Sequence, residues 1–406
     1  MSFDVAIVGS GPVGATLAAL LARDPPSRGA RVLLLDRELP AAAPQATDLR
    51  VFALSRASER VLDAAGAWAA LAASPGALGA YERMHVWPER GAPRSAGALT
   101  FDAATLSEPN IGYIVENARL QWAALQAFVA AGGVVQSAEL RGLHFGPSGV
   151  TLDTSAGPRE ARLVVGADGA RSAVRRLAGL GAEVQDYGQL AVVANLSAQH
   201  PHEQTAWQRF LGEGTLALLP LASGECSLVW SVPQAQARRL LALEPAAFEA
   251  ELTAASGGVL GELTLRSARA AFPLRRVEVP RYAIERCVLV GDAAHMVHPL
   301  AGQGVNLGLL DAAALAEVLA VARREREDPG ALRTLRRYER WRKGENALMG
   351  RAFDLMNRFL AFGRDTTGGL AQRGLGWVDR SMLLKRLFME RALGLAGDLP
   401  RIARRG

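Results

Sequence analysis

Cysteine is nearly absent from this chain: there are two in 406 residues, Cys226 and Cys287, and they form no CxxC pair. This excludes a disulfide framework and a thiolate metal site, and sets a reducing cytosol as the expected compartment. No uninterrupted apolar run is long enough to span a bilayer, so an integral membrane protein is not expected. A leader pattern is also missing, because the chain enters a strand directly at Phe3-Asp4-Val5-Ala6-Ile7-Val8. Internal repeats and low-complexity tails are lacking. Charge is modest at 21%, with half the residues apolar, which suits a globular protein with a real core. The net charge of +6 does not by itself imply nucleic acid, since the arginines are mixed with acids in an alanine-rich, GC-type composition. No nucleic-acid partner is expected. The length suggests two domains and a terminal extension.

What is present begins at the first strand. Gly9-Ser10-Gly11-Pro12-Val13-Gly14 follows it at once, and helix formers run from Ala15 to Arg23. A second strand, Arg31 to Leu35, ends on Asp36. In a strand–turn–helix–strand–acid unit the three glycines serve different needs, namely a tight turn, close approach to a pyrophosphate, and close helix packing. The helix N-terminus adds unpaired N–H groups, and the acid accepts ribose hydroxyls. A lone GxGxxG is weak, but in this context it reads as dinucleotide binding. The connection Asp24-Pro25-Pro26-Ser27-Arg28-Gly29 lengthens the usual spacing, which a surface loop tolerates.

Two further loops follow apolar strands. One is Gly166-Ala167-Asp168-Gly169-Ala170-Arg171-Ser172-Ala173-Val174-Arg175, which alone is as well read as a plain strand-to-helix turn. The other runs from Gly291 to Asp311, GDAAHMVHPLAGQGVNLGLLD, and opens a long Ala/Leu helix. Between them, residues 190–232 alternate apolar and polar positions, the pattern of antiparallel sheet. Helices are expected at 117–130, 246–253, 309–326 and 331–362. A strand is expected at 134–140, a hairpin at 150–153 and 161–165, and a further strand at 263–272. His295 and His298 have zinc-like spacing, but no Cys or carboxylate set completes a site, so no metal is expected. Trp207, Phe210 and Trp230 read equally as pocket lining or sheet core.

Together the three loops resemble those of the flavin-dependent aromatic hydroxylases related to p-hydroxybenzoate hydroxylase. The last motif resembles more closely the ubiquinone-biosynthesis branch. Matching stretches are Asp48-Leu49-Arg50-Val51-Phe52-Ala53-Leu54-Ser55, Val115-Glu116-Asn117-Ala118-Arg119-Leu120-Gln121, and Leu219-Pro220-Leu221 before Val229-Trp230. The resemblance implies an α/β fold: a Rossmann-like FAD-binding domain, an interleaved antiparallel-sheet substrate domain and a C-terminal helical segment. The domain borders it suggests are 1–75, 101–180 and 273–345 for FAD, 76–100 and 181–272 for substrate, and 346–406 for the extension.

By the same resemblance, Gly9, Gly11, Pro12, Val13 and Gly14 meet the pyrophosphate, with Asp36 and Arg37 at the ribose. Asp36 stands where the family more often has Glu. Arg50 and Gln121 approach the phosphate and ribityl region, and the Leu140 main chain faces adenine. Asp168 and Arg171 serve nucleotide phosphates. Gly291 and Asp292 close on the ribityl chain, Pro299 lies beside the flavin ring, and Gly302, Gln303, Gly304, Val305 and Asn306 line the ring edge. The implied function is an NAD(P)H- and O₂-dependent monooxygenase acting on an aromatic, polyprenylated phenol. No side-chain acid or base is singled out. Two alternatives stay open: a relative oxidising another phenol or an alkene, and a non-catalytic flavoprotein. The halogenase WxWxIP pattern is absent. The C-terminal segment mixes Met382-Leu383-Leu384, Leu387-Phe388-Met389 and Leu393 with Lys385, Arg386 and Arg391. It reads as a packed helix or homo-oligomer interface, or as a weak membrane-surface or complex-docking element, which would place a cytoplasmic protein beside the inner membrane.

Overall fold

The first glycine motif leaves the end of a strand buried on both faces, which is why that strand reads as a continuous apolar run. In the computed structural model, which describes residues 2–23, 30–93, 95, 98–296, 304–361, 394 and 396–405, Ser2–Val8 lies parallel between Arg159–Gly166 and Val32–Asp36. Val134–Ser137 extends the sheet on one side and Cys287–Leu289 on the other, both parallel. Ala283–Ile284 closes that edge antiparallel. Helices Pro12–Arg23, Asn117–Ala130 and Gly304–Arg324 complete one continuous core with this sheet.

The expected strand over 134–140 is in fact two. Ala138 N–H makes a last bond to the Asp36 carbonyl at 2.8 Å, and Glu139 then exchanges bonds with Ser155. Leu140–Phe145 proceeds antiparallel to Val150–Thr154. Apolar spacing carries no mark of a change of partner, so the break was not legible.

A second, nine-stranded sheet has the path His295–Met296, Ala270–Glu278, Glu183–Ala198, Cys226–Pro233, Gly214–Pro220, Thr205–Leu211, Arg83–Pro88, Leu99–Asp102, with Leu263–Leu265 off its side. Its alternation sorts side chains by face. Val192, Ala194, Trp207, Leu216, Leu218, Leu228 and Trp230 join a core with residues of helices Gln234–Ala242 and Pro245–Ser256. Trp207 and Trp230 are therefore core. Ala206, Ala217 and Leu219 on the other face pack with the small sheet of Val51–Ser55, Gly112–Glu116 and Gly79–Tyr81. Leu99–Asp102, Ala270–Glu278 and Leu332–Ala361 each run through one of the borders expected at 100, 272 and 345.

The helix expected from 309 begins at Gly304. Among the described residues it is the one helix long and apolar enough to cross a membrane, but 83% of its apolar window is buried inside the protein. The chain end folds back on this body. Leu399 and Ala403 enter the first core, Trp341 Nε1 donates to the Asp398 carbonyl at 2.8 Å, and Arg405 pairs with Glu108 at 3.6 Å. The connection at 24–29, the residues His298, Pro299, Gly302 and Gln303, and the basic apolar segment at 382–393 lie outside the described residues.

Both cysteines are buried. Burial pushes each thiol up to about 12, with nearby Glu225 and Asp168 respectively adding to it. Because the thiolate is the reactive form, neither should react with a chromogenic disulfide reagent in the native protein. Two equivalents should react after guanidinium unfolding, read as absorbance per chain.

Candidate cofactor and substrate site

Four neighbouring parallel strands deliver the motifs to one edge. Val8 is in register with Leu35 and with Gly166, and Gly166 with Leu289. The Gly9 turn, the acid Asp36, the Ala167 loop and the Gly291 loop therefore leave the carboxyl ends side by side, the usual ligand position in an open α/β sheet. Backbone bonds join them: Gly9 N–H to Leu35, Ala167 N–H to Val8 and Val290 N–H to Gly166, at 2.8–2.9 Å. Arg175 binds the second loop to the third, donating to the Ala170 carbonyl at 2.6 Å and the Ala293 carbonyl at 2.8 Å. Partial burial moves its guanidinium down from the ordinary value.

Within the first motif the glycines divide by cause. Gly9 has φ +107°, and a Cβ there would strike the Ala167 carbonyl. A Cβ at Gly14 would strike the Gly9 carbonyl. Gly11 is different, since a Cβ would meet nothing within 4 Å. The helix begins at Pro12, so the N–H groups of its first turn have no intrahelical partners. Space above Gly11 beside these donors fits a phosphate pair, which is a need imposed from outside the chain. Asp36 accepts from Ser10 N at 2.6 Å and Ser10 Oγ at 2.8 Å through Oδ2, and Gln121 Nε2 reaches Ser10 Oγ at 3.3 Å. The structure thus brings Asp36, Ser10 and Gln121 together, with Oδ1 contacted by Glu38 N at 3.3 Å.

The third motif is held by a residue that its sequence neighbours give no role. Asp311, fully buried, accepts from Gly291 N at 3.1 Å, His295 Nε2 at 2.5 Å, Arg342 Nε at 2.8 Å and Asn346 Nδ2 at 3.2 Å. Burial alone would raise its carboxyl, but His295, Arg342 and their hydrogen bonds outweigh it and hold the group well below the carboxylate range. The available signal was an aspartate inside an Ala/Leu helix, where an unpaired charge would be untenable. Asn306 is also spent internally: its Oδ1 accepts from Ser55 N at 2.9 Å and Ser58 Oγ at 2.7 Å, and its Nδ2 donates to the Ala53 carbonyl at 2.8 Å. It clamps the helix start to the strand Val51–Ser55 and leaves main-chain groups to face a ligand. A Cβ at Gly304 would meet nothing within 4 Å among the described residues. Asp292 is exposed to the groove while set deep in the fold. The surrounding protein pushes its carboxyl up, opposed by His295 and helped by Asp311.

The remaining expected residues divide into those at the site and those apart from it. Arg50 lines the cavity described below and pairs with Asp48 at 3.7 Å. Arg37 points to solvent beside Glu38. Asp168 is occupied in capping its own helix, accepting from Ala173 N at 2.6 Å, Val174 N at 3.1 Å and Ser172 Oγ at 2.5 Å, while Arg171 is exposed. The Leu140 side chain is in the core and its backbone is in register with Thr154.

Asp292, Gly304, Val305 and Arg50 also form one side of a cavity of about 270 Å³. Its opposite wall is the second sheet: Val193, Ala217, Leu219, Val229 and Phe272, with Gln208, Thr215 and Ser231 as polar members. The space lies just below the roughly 300–1,000 Å³ range of ligand pockets and is mostly apolar, as such pockets are.

Comparison with known proteins adds to this geometry. The family described as "FAD binding domain" matches residues 2–349. A ubiquinone hydroxylase of Rhodospirillum rubrum is 38% identical over 99% of this chain and 92% of its own. The 3-demethoxyubiquinol 3-hydroxylase of Escherichia coli is 36% identical over 97% of this chain and 98% of its own. The crystal structure of a p-nitrophenol 4-monooxygenase from Pseudomonas putida superposes with a TM-score of 0.75 at 17% identity, covering 97% of this chain and 98% of that one.

Two outcomes follow from the loops. Gly11→Val should fold normally, since no protein atom opposes it, but should lose at least about tenfold in dinucleotide affinity as charge-assisted bonds are held off. Absorbance of bound cofactor after gel filtration, against an unchanged far-UV spectrum, measures both. Asp311→Asn should cost roughly 3–5 kcal/mol in denaturant unfolding, because Arg342 is left buried without its counter-charge. The native Asp311 carboxyl is depressed, so its contribution is complete above the unfolded value near 4 and is lost as pH falls through the lower native value. The wild-type advantage over Asp311→Asn should therefore be full at pH 7 and shrink below about pH 4.

Proposed function

Because the chain belongs to the FAD binding domain family and, within it, to the ubiquinone-biosynthesis hydroxylases, we propose that it hydroxylates the ring of a polyprenylated phenol intermediate of ubiquinone. It is an FAD-dependent aromatic-ring monooxygenase using NAD(P)H and O₂. The observation that supports this most is the shared cavity, walled on one side by Asp292, Met296, Gly304 and Val305 and on the other by the small-residue face of the second sheet. FAD held there would supply the redox chemistry, by which NAD(P)H, a proton and O₂ yield the ring hydroxyl, water and NAD(P)⁺.

The chain's own residues bind, orient and exclude water. The helix start at Pro12 and the backbone at Gly11 hold the pyrophosphate, and Asp36 with Gln121 stands at the sugar end. Asp292 accepts from polyol hydroxyls. Gly304 and Val305 bring the N-terminus of the Gly304–Arg324 helix to the ring edge, where its positive end favours negative charge. Val193, Ala217, Val229 and Phe272 keep the reacting space dry. We place the cofactor part at 1–75, 101–180 and 273–345 and the substrate part at 76–100 and 181–272, with elements shared at the borders. The basic apolar segment before the docked tail is our candidate for a membrane-surface contact, since a polyprenyl substrate resides in lipid.

Mass spectrometry of quinone precursors in a strain lacking the gene tests the assignment: a ring short of one hydroxyl should accumulate, and an unchanged profile would overturn it. In the purified enzyme, Gly304→Ala should fold and keep some FAD, since the protein leaves room for the methyl. Product formed per NAD(P)H consumed should fall severalfold, with peroxide rising to match, because a shift of about 1 Å costs on the order of 100-fold in a positioned reaction. Wild-type coupling in this variant would remove the loop from the ring edge.

A further inference from the structure

The sheet wall of the cavity has one residue whose chemistry the fold does not use. The register places Val193 opposite Val229, Val229 opposite Ala217 and Ala217 opposite Gln208. A row of apolar side chains is thus interrupted by an amide, with Val86 on its far side. Gln208 is 4% exposed and lines the cavity, yet its Oε1 has no hydrogen-bond partner. Other buried polar atoms without partners include Trp207 Nε1 and Trp230 Nε1, which belong to the helix-covered core. Gln208 is the one among the described residues that also lines this space.

A buried carbonyl oxygen without a partner is destabilising, whereas an apolar residue of the same shape would not be. Leu or Met at 208 would continue the Val193–Val229–Ala217 row without that cost. We propose that Gln208 is the specificity-determining residue of the cavity: its Oε1 accepts a hydrogen bond from a ring hydroxyl of the substrate and sets which edge of the ring faces the Gly304 loop. This rests on the reading of the cavity as an aromatic-substrate site, and names the group within it that recognises a phenol. A site built to bond a hydroxyl discriminates against the analogue lacking it, because its own polar atom is then left unpaired.

The test uses the FAD-loaded enzyme, with 2-prenylphenol and its methyl ether as probes, titrated by calorimetry without NAD(P)H. Wild type should bind the phenol about tenfold more tightly than the ether, the order of one net hydrogen bond. Gln208→Met should abolish that preference by weakening the phenol alone. It should also raise the melting temperature of the substrate-free holoenzyme, since it removes a buried unpaired oxygen, a gain that a structural role would reverse. Gln208→Glu, which keeps an acceptor at the same reach, should keep the preference. If Gln208→Met weakens both probes equally, retains the preference, or melts earlier, the proposal is overturned while the aromatic pocket stands. If wild type holds FAD but binds neither probe, the pocket reading itself fails and the proposal with it.

Discussion

The buried carboxylate of Asp311 is the point on which the cofactor half of the molecule depends. It lies within the Gly304–Arg324 helix, yet its two oxygens serve three other parts of the chain: the Gly291 backbone, the His295 ring, and Arg342 with Asn346 on the helix Leu332–Ala361. A charge at that depth is sustained only by partners of this quality. The same partners cannot be satisfied unless the loop, the short strand at His295 and both helices are correctly placed. The carboxylate therefore contributes more to a single arrangement than to raw stability. The loop that approaches the cofactor has its position set from behind, by groups that need never touch the cofactor.

The front of the site follows a complementary rule. Gly9 and Gly14 are required by protein atoms that would collide with a side chain, whereas Gly11 and Gly304 face open space. The first kind makes the turn and the helix packing possible. The second lies at two helix starts, where backbone N–H groups without intrahelical partners suit an anionic ligand. Arg175, donating to the Ala170 and Ala293 carbonyls, ties the second loop to the third.

How much of this the sequence disclosed depends on the range of the interaction. The Rossmann unit at 2–36 and the antiparallel character of 190–232 rest on local periodicity and glycine spacing, and both are seen in the structure. The residue types of the loop from Gly291 read as those of a ligand loop, and the structure places its start at the carboxyl edge of the sheet. What was not legible required knowledge of partners distant in the chain. Asn306 was expected to bring its backbone to the cofactor, and the part of it that the sequence did not disclose is the side chain, which anchors that backbone to Ala53, Ser55 and Ser58. Asp168, read with the phosphates, is a local case: its carboxylate caps the helix that follows it. Gln208 carried no signal at all, because an amide in an alternating strand is unremarkable until the register shows that its neighbours on that face are valine and alanine.

The chain end adds an implication for how such a protein is made. The sheet that carries the cofactor draws strands from 2–8, 159–166 and 287–289, and its core is finished by Leu399 and Ala403. A polypeptide emerging from the ribosome presents its glycine motif first but cannot complete the sheet beside it until residues 287–289 have followed. The second sheet, with its strands from 183 to 278 largely consecutive, has no such delay and is free to form while synthesis continues. The cofactor edge, built from strands so far apart in the chain, is thereby expected to assemble later than the second sheet, once 287–289 and the Gly304–Arg324 helix have been made.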